Sequence, residues 1–483
     1  MVSGTRDPAV IRLKVLGAID ARGLDGQPLQ PLLAQPRRLA LLVFVVIESA
    51  DGACPRERLL AAFWPDHPPE QASANLRQSL AFLRRVLGEG VVLGVGQHAL
   101  RVERSRLWCD AVDASAGERA AAGELLQGLH LDGVGEAWES WLFEQRNRLS
   151  GLVPPSSAAA DPPDAAARAA YRRGLFHWSR RPRESAKALA SLEEAVHLAP
   201  DFAPAHAALA DVYNTLGSWE SGALPSTDAF PKARAAALRA LQLDPCCAAA
   251  HTSLAYANAH YEWQWSAAEE QFRRALALDP GYAHAHHWRA HLLVAQRRFG
   301  EALEESHRAL ELQPVDVIIN VHLAWHHWLA REPEAAIEQA DRTAQLDDTD
   351  HWPPFFRGMA CTMCSREADA VEALRHAAQL SRGNAVMRAG LGYVYAACGD
   401  ARQARLVLRE FSAAAALQHR YAYEAAVIHA ALGEHGRALD LLDQAYDARS
   451  AWMAYAGVDP RLDVLRSEPR LQQLLQRLGL PAG

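Results

Sequence analysis

Lysine is scarce in this chain. Only Lys14, Lys187 and Lys232 occur in 483 residues, and they follow Leu13, Ala186 and Pro231. A phosphate-cradling P-loop needs a Gly-Lys pair, so that loop and the nucleotide switch it would serve are excluded. No GxSxG elbow, HExxH helix or dinucleotide fingerprint is present, so neither an enzyme nor a cofactor is expected. Long apolar runs are missing too. The longest, "LALLVFVVI" (Leu39–Ile47), is half of the roughly 18 residues a membrane span needs, and no membrane partner is expected. The start, "MVSGTRDPAV", has no apolar signal core, so a cytoplasmic protein is expected. Seven scattered cysteines fit a reducing compartment rather than a disulfide framework.

Charge is uneven. Residues 1–110 hold 14 Arg+Lys against 11 Asp+Glu, whereas the whole chain is at −7. A slightly basic head therefore precedes an acidic body. The excess is too small to identify a nucleic-acid binder without a structural argument.

The clearest break is "GLVPPSSAAADPPDAAA" (Gly151–Ala167), rich in Pro, Ala and Ser and without apolar period. After it the chain repeats. A leucine near each second-helix end falls at Leu198, Leu243, Leu278, Leu312, Leu346 and Leu380. The spacing settles at 34 residues, the tetratricopeptide (TPR) period. The first interval is longer because "GSWESGALPSTDAFP" (Gly217–Pro231) is inserted. Pro200, Pro245, Pro280 and Pro314 end second helices, and Ala268, Ala275, Ala302, Ala309, Ala336 and Ala404 stand where paired helices approach. "GVDPRLDVLRSEPRLQQLLQRLGLP" (Gly457–Pro481) reads as the cap such an array needs.

Ahead of the break, "IRLKVLGAIDARGLDGQPLQ" (residues 11–30) reads as short strands. "QPRRLALLVFVVIESADG" reads as a buried helix and "CPRERLLAAFWP" starts a second. A third runs from Pro68-Pro69 to Gly88, and "VVLGVGQHALRVE" follows as a hairpin. Strands, three helices and a terminal hairpin make a winged helix-turn-helix. The expected fold is therefore mainly α: an α+β winged helix at 1–110, a short helical segment at 111–150, a linker at 151–167, a TPR solenoid at 168–456 and a cap at 457–483.

In the third helix Leu76, Leu80, Leu83 and Leu87 fall within about 60° of one another. Gln71, Ala74, Gln78, Ala81 and Arg85 lie opposite, with Arg77 and Arg84 on one flank and Asn75 and Phe82 on the other. Arg and Gln can read base edges or hold phosphates, and small alanines allow close approach to a groove. The expected DNA contacts are Arg37, Arg38, Ser73, Ala74, Arg77, Gln78, Ala81, Arg84 and Arg85, with Arg101 and Arg104 from the hairpin. An outward arginine face is also what an ordinary solvated helix shows, so the element order carries the reading.

"RRLALLVFVVIES" (Arg37–Ser49), "RERLLAAFWPD" (Arg56–Asp66) and "NLRQSLAFLRRVLG" (Asn75–Gly88) resemble the winged helix of the bacterial antibiotic-regulatory-protein (SARP) activators. Residues 118–149 are similar to the start of the helical bacterial transcriptional activator domain (BTAD) of that class. Phe82 departs from the class, which commonly has a polar or basic residue there; packing beneath the hairpin is the alternative role. Residues 168–480 resemble a bacterial TPR sensor module, through "YRRGLFHWSRRPRESAKALASLEEAV", "WQWSAAEEQFRRAL", "AHHWRAHLL" and "VDPRLDVLRSEPRL". Together the resemblances imply a promoter-binding regulator, an activator by its class. Its body would bind an effector, peptide or protein, with Arg289 and His326 as groove contacts. A weakly basic head implies two copies on repeated half-sites, or help from RNA polymerase. The rival reading is a TPR interaction scaffold whose winged helix does not bind DNA. His287/His291 and His322/His326 have the i,i+4 spacing of a helical metal pair, and Cys361/Cys364 form a lone CxxC. They are read as repeat packing, and no metal is expected. Trp178, Trp263, Trp265 and Trp288 are likewise read as core.

Overall fold

The computed structural model describes residues 10–49, 52–96, 98–115, 164–178, 184–218, 223–413 and 421–481, and within 125–149 residues 125–129, 131, 134–135, 137–138, 141–142, 145–146 and 149. Contacts divide the chain into two units. One holds Met1–Ala158 with the short stretches Leu310–Val317 and Gln345–Asp347; the other holds the rest. The dividing point near residue 158 falls in the Pro-Ala-Ser break, whose residues 151–163 lie outside the described ones.

In the first unit β1 (Ile11–Lys14) pairs antiparallel with β2 (Asp20–Arg22). The short helix α1 (Gln30–Leu33) and α2 (Pro36–Glu48) follow. Leu39 to Ile47 of α2 are all buried, which is why that run shows no helical period in its hydrophobicity. The two-residue strand β3 (Cys54–Pro55) leads into α3 (Arg56–Phe63), and α4 (Pro69–Leu87) comes next. The hairpin is β4 (Val92–Val95) and β5 (Ala99–Val102), with Gly96 at φ +58 in its turn. β3 joins the free edge of β5, giving the strand order β3-β5-β4. β6 (Leu107–Cys109) returns to lie parallel to β1, and α5 (Asp110–Ser115) follows. Helix, strand, helix, helix, strand, strand is the order a winged helix-turn-helix requires.

Two features have no local signal in the sequence. β3 is too short to show alternation, and β6 pairs with a strand nearly a hundred residues earlier. Asp110 explains the second: its carboxylate accepts the backbone N–H groups of Val15 at 2.8 Å and Leu16 at 3.2 Å, closing the sheet end. Most of the activator-like segment 118–149 lies outside the described residues. Those described pack on the head's core: the Trp141 ring lies 4.4 Å from Phe44, its indole N–H donates to Glu48 at 2.7 Å, and Trp138 sits 4.9 Å from Phe63.

Most of the second unit belongs to a stack of helix pairs. The described pairs begin with Ala165–Trp178 and Ser185–Leu198, so helix starts inside the stretch read as linker. They continue through Ser226–Leu243, Trp265–Leu278, Phe299–Leu312, Pro333–Leu346 and Glu367–Leu380 as second helices. Each ends on its expected leucine. Two further pairs end at Ala413 and Asp447, which carry no leucine and so escaped the sequence marker. The alanines placed at helix crossings are buried throughout.

The turn inside each pair shows the period more cleanly than the leucines do. Trp263, Arg297, Arg331, Ser365, Gly399 and Gly433 all have positive φ and stand 34 residues apart. Each terminates a first helix in the left-handed conformation, which frees the chain to reverse. From Arg298 N to Leu293 O (2.9 Å) and from Glu332 N to His327 O (2.9 Å), the bond that closes such an end recurs, as it does at Arg366, Asp400 and Glu434. Only two of the six are glycine, so composition hides the signal.

First helices are sandwiched and second helices face outward. From Ile319 to Leu329, only His327 is not buried. The closing segment does more than cover the last pair. The Trp265 indole donates to Leu478 O at 2.7 Å, and Arg331 donates to Val458 O at 2.7 Å and to Asp463. Asp459 and Arg461 form a fully buried ion pair at 2.7 Å, with the Tyr423 hydroxyl donating to Asp459 at 2.8 Å and the Trp452 ring 4.8 Å from the guanidinium. No described helix is long and apolar enough to cross a membrane.

Candidate nucleic-acid interface

α4 is built as an amphipathic rod. Pro69 occupies its first turn, Gly88 at φ +92 stops it, Glu70 sits at its positive end, and Arg84 and Arg85 at its negative end. Leu76, Leu80, Leu83 and Leu87 are buried as expected, with Ala72 and Ser79 completing the inner face. Gln71, Ala74, Arg77, Gln78, Ala81 and Arg85 are exposed, and Ser73 is half-buried. The outward row therefore runs Gln, Ala, Arg, Gln, Ala, Arg along nearly four turns. After Glu70 it contains no acid.

Two expected contacts have other duties. Arg84 is half-buried and its Nε donates to Val92 O at 3.4 Å, tying the last turn of α4 to the hairpin. Arg101 is exposed but has Glu103 at 3.7 Å, which offsets its charge. Arg104 is exposed just beyond the hairpin, and Arg37 is half-buried at the start of α2. The hairpin itself is fastened to α2: Val102 N–H donates to the Ser49 hydroxyl at 3.2 Å. β3 holds it from the other side, with Arg56 N–H donating to His98 O at 2.8 Å.

Phe82 is explained by α2 rather than by the hairpin. Its half-buried ring packs on the core, and the Arg38 guanidinium lies 4.3 Å over its centroid. Arg85 approaches the same ring at 5.6 Å. Two cations from two helices thus share one aromatic ring. Burial and then the Arg85 charge make the Arg38 guanidinium less basic than usual. Among the described residues no carboxylate pairs with Arg38, Arg77 or Arg85. An anion placed against this edge would relieve the repulsion, which is what a phosphate does. A protein lacking the phenylalanine would have no ring to draw Arg38 and Arg85 together.

The two groove contacts expected in the body differ in exposure. His326 is buried, one per cent exposed, with its Nδ1 at 2.8 Å from the Ser306 hydroxyl. It stands on a first helix packed on all sides, so position in the repeat does not bring it to a surface. Arg289 is half-buried and ion-paired with Glu305, which His286 also reaches at 2.5 Å. The four tryptophans read as core do pack: Trp263 and Trp288 are buried, and Trp178 and Trp265 lie against core clusters.

No family model matches the chain. In its N-terminal region it is 34% identical over 124 residues to "Regulatory protein AfsR" of Streptomyces griseus. That match takes in 24% of this chain and 12% of the relative, so the chain spans only a small part of that protein's length. Among solved structures, helical-repeat proteins align with it. Yeast Tom70 covers 76% of this chain and 84% of its own, at 15% identity and a TM-score of 0.41. The Cut9–Hcn1 hetero-tetramer of the APC/C covers 70% and 59%, at 15% identity and 0.45. A tetratricopeptide repeat protein from Parabacteroides merdae covers 55% and 98%, at 12% identity and 0.39. At these scores the likeness adds nothing to the repeat geometry described above. The N-terminal region is thus similar to part of a regulatory protein, and it precedes a helical body with the 34-residue period.

Proposed function

We propose that this chain is a sequence-specific DNA-binding transcriptional regulator, an activator by the class its head resembles, and not an enzyme. The observation that carries the reading is the outward row of α4 together with the Arg38–Phe82–Arg85 edge. The row offers Arg and Gln donors between alanines, the pattern that base-edge contacts in a major groove use. The edge beside it adds Arg38 as a phosphate contact, with Arg85 remaining in the base-reading row. Arg104, exposed just beyond the hairpin, supplies a further backbone contact, and Arg101 a weaker one beside Glu103. The helical body serves as the input, taking a protein or peptide partner.

Few phosphate contacts imply weak binding by one copy, so two copies on repeated half-sites, or RNA polymerase, complete the complex. The test is a gel-shift selection with the full chain and a random duplex pool at moderate salt. A recovered repeat motif that outcompetes random duplex supports the proposal. If no duplex outcompetes random sequence, the reading fails and the scaffold alternative takes its place.

A further inference from the structure

We propose that the body holds a transition-metal ion between two consecutive repeats, bound by ring nitrogens of His287, His291 and His322. The inference rests on the body alone and stands apart from the DNA-binding reading.

His287 and His291 lie one turn apart on the helix Ala283–Ala295. His322 lies on the first helix of the next pair, Val317–Leu329. Each is at most two per cent exposed. His322 Nδ1 is 2.8 Å from His287 Nε2 and 3.0 Å from His291 Nε2, and one ring nitrogen of each lies within 4.8 Å of the others. An imidazole nitrogen has one in-plane site, which is either a proton or a lone pair. His322 Nδ1 can therefore make one good hydrogen bond to these two nitrogens, not two. A cation bound among the three nitrogens removes the conflict, because each then presents a lone pair instead of a proton. Tetrahedral coordination at about 2.0–2.1 Å puts ligand nitrogens roughly 3.3 Å apart, a few tenths of an ångström beyond the two short separations.

The surrounding groups separate ligands from neighbours. His260 is satisfied at both nitrogens: Nδ1–H donates to Tyr256 O at 3.0 Å, and Nε2 accepts from the Tyr455 hydroxyl at 2.6 Å. His326 is different. The Ser306 hydroxyl donates to Ala302 O at 2.8 Å, so Ser306 accepts from His326 Nδ1–H. That hydrogen bond fixes the tautomer and leaves Nε2 with its lone pair, buried and without a hydrogen-bond partner. The His326 ring centre is 5.0 Å from that of His291, which makes it the fourth imidazole at hand. The Trp325 ring lies 5.1 Å from His291 and 5.6 Å from His322, and Tyr256 lies 6.2 Å from His291. A neutral, all-imidazole set selects zinc, copper, nickel or cobalt and rejects calcium and magnesium.

The test uses the full chain carrying Cys361→Ser and Cys364→Ser, which removes the CxxC as a competing zinc binder. The protein is stripped with a chelator, then titrated with Zn²⁺ and, separately, with Co²⁺ as a spectroscopic probe. Expected are one equivalent per chain, a rise in Tm, and a tetrahedral cobalt spectrum without a thiolate charge-transfer band. His287→Gln and His322→Gln should each abolish the equivalent, while His260→Gln keeps it. The cobalt spectrum of the histidine-intact chain decides the matter even where a buried variant does not fold. A folded chain that takes up neither ion, or His287→Gln and His322→Gln variants that keep the equivalent, would overturn the proposal.

Discussion

Two helices dispose of their polar residues in opposite ways. α4 of the head turns its polar residues outward in one row. Val317–Leu329 of the body holds Asn320, His322 and His326 inward and leaves only His327 partly open between Ile319 and Leu329. The difference lies in what covers each helix. α4 packs through one leucine face and is bare on the other, whereas a first helix in a repeat stack has neighbours on every side. A polar side chain on the bare helix is free to meet another molecule. On the covered helix it must find its partner inside the fold.

This contrast explains what the sequence could and could not reveal. On α4 the 3.6-residue period gave the exposed row correctly, because one face is apolar and the other is not. The same period says nothing about a helix buried all round, which is why the groove position expected of His326 is a core position in the structure. The repeat period was legible through six leucines, since each marks the same packing site. The last two pairs lacked that marker, though their left-handed turns continue the series at Gly399 and Gly433. The Arg38–Phe82 contact was illegible for a different reason. It joins α2 to α4 across more than forty residues, and no local pattern encodes it. The convergence of His322 on His287 and His291 is hidden for the same cause: the spacing within each helix was visible, and the crossing between repeats was not.

The contrast predicts that polar substitutions cost stability in the body and not in the head. The largest effect should come from Asp459→Ala, which strands Arg461 in the core. The loss should be about 3–5 kcal/mol by denaturant unfolding, and a loss within the range of surface substitutions would mean the pair is not buried in solution. Burial pushes the Asp459 carboxyl up, but the Arg461 charge and hydrogen bonds outweigh it and hold the pKa below the usual value. Its contribution is therefore present above the ordinary carboxylate pKa and is lost as pH falls below it.

Next comes acid sensitivity in metal-free buffer. Burial lowers the His260 pKa from 6.5 to about 4. A group with a depressed folded pKa stabilises fully above its unfolded value, so the body should lose stability as pH falls from 6.5 towards 4. The shift corresponds to about 3 kcal/mol. Thermal melts across that window should show the fall, and His260→Gln should make it shallower without removing it, because burial also holds His291 and His326 well below 6.5. An equally steep fall in the variant would assign the proton uptake elsewhere.

Ser365→Gly is smaller and opposite in sign. Ser365 is exposed at φ +55, where glycine carries no Cβ penalty, so a gain of about 0.5–1 kcal/mol is expected. Any loss on melting would show that the side chain does more than occupy the turn. In the head, Arg77→Ala and Gln78→Ala should change stability by less than about 0.5 kcal/mol. A larger loss in either would mean that the row is already committed to the fold.

The outward row itself is tested most directly by quantitative DNA binding of the full chain and its variants to the selected duplex over a salt series. Arg77→Ala should weaken every sequence alike and reduce the salt slope by about one. Gln78→Ala and Arg85→Ala should instead change which base is preferred at defined positions. Uniform loss in all three, with sequence preference unchanged, would contradict the assignment of a base-reading face to α4.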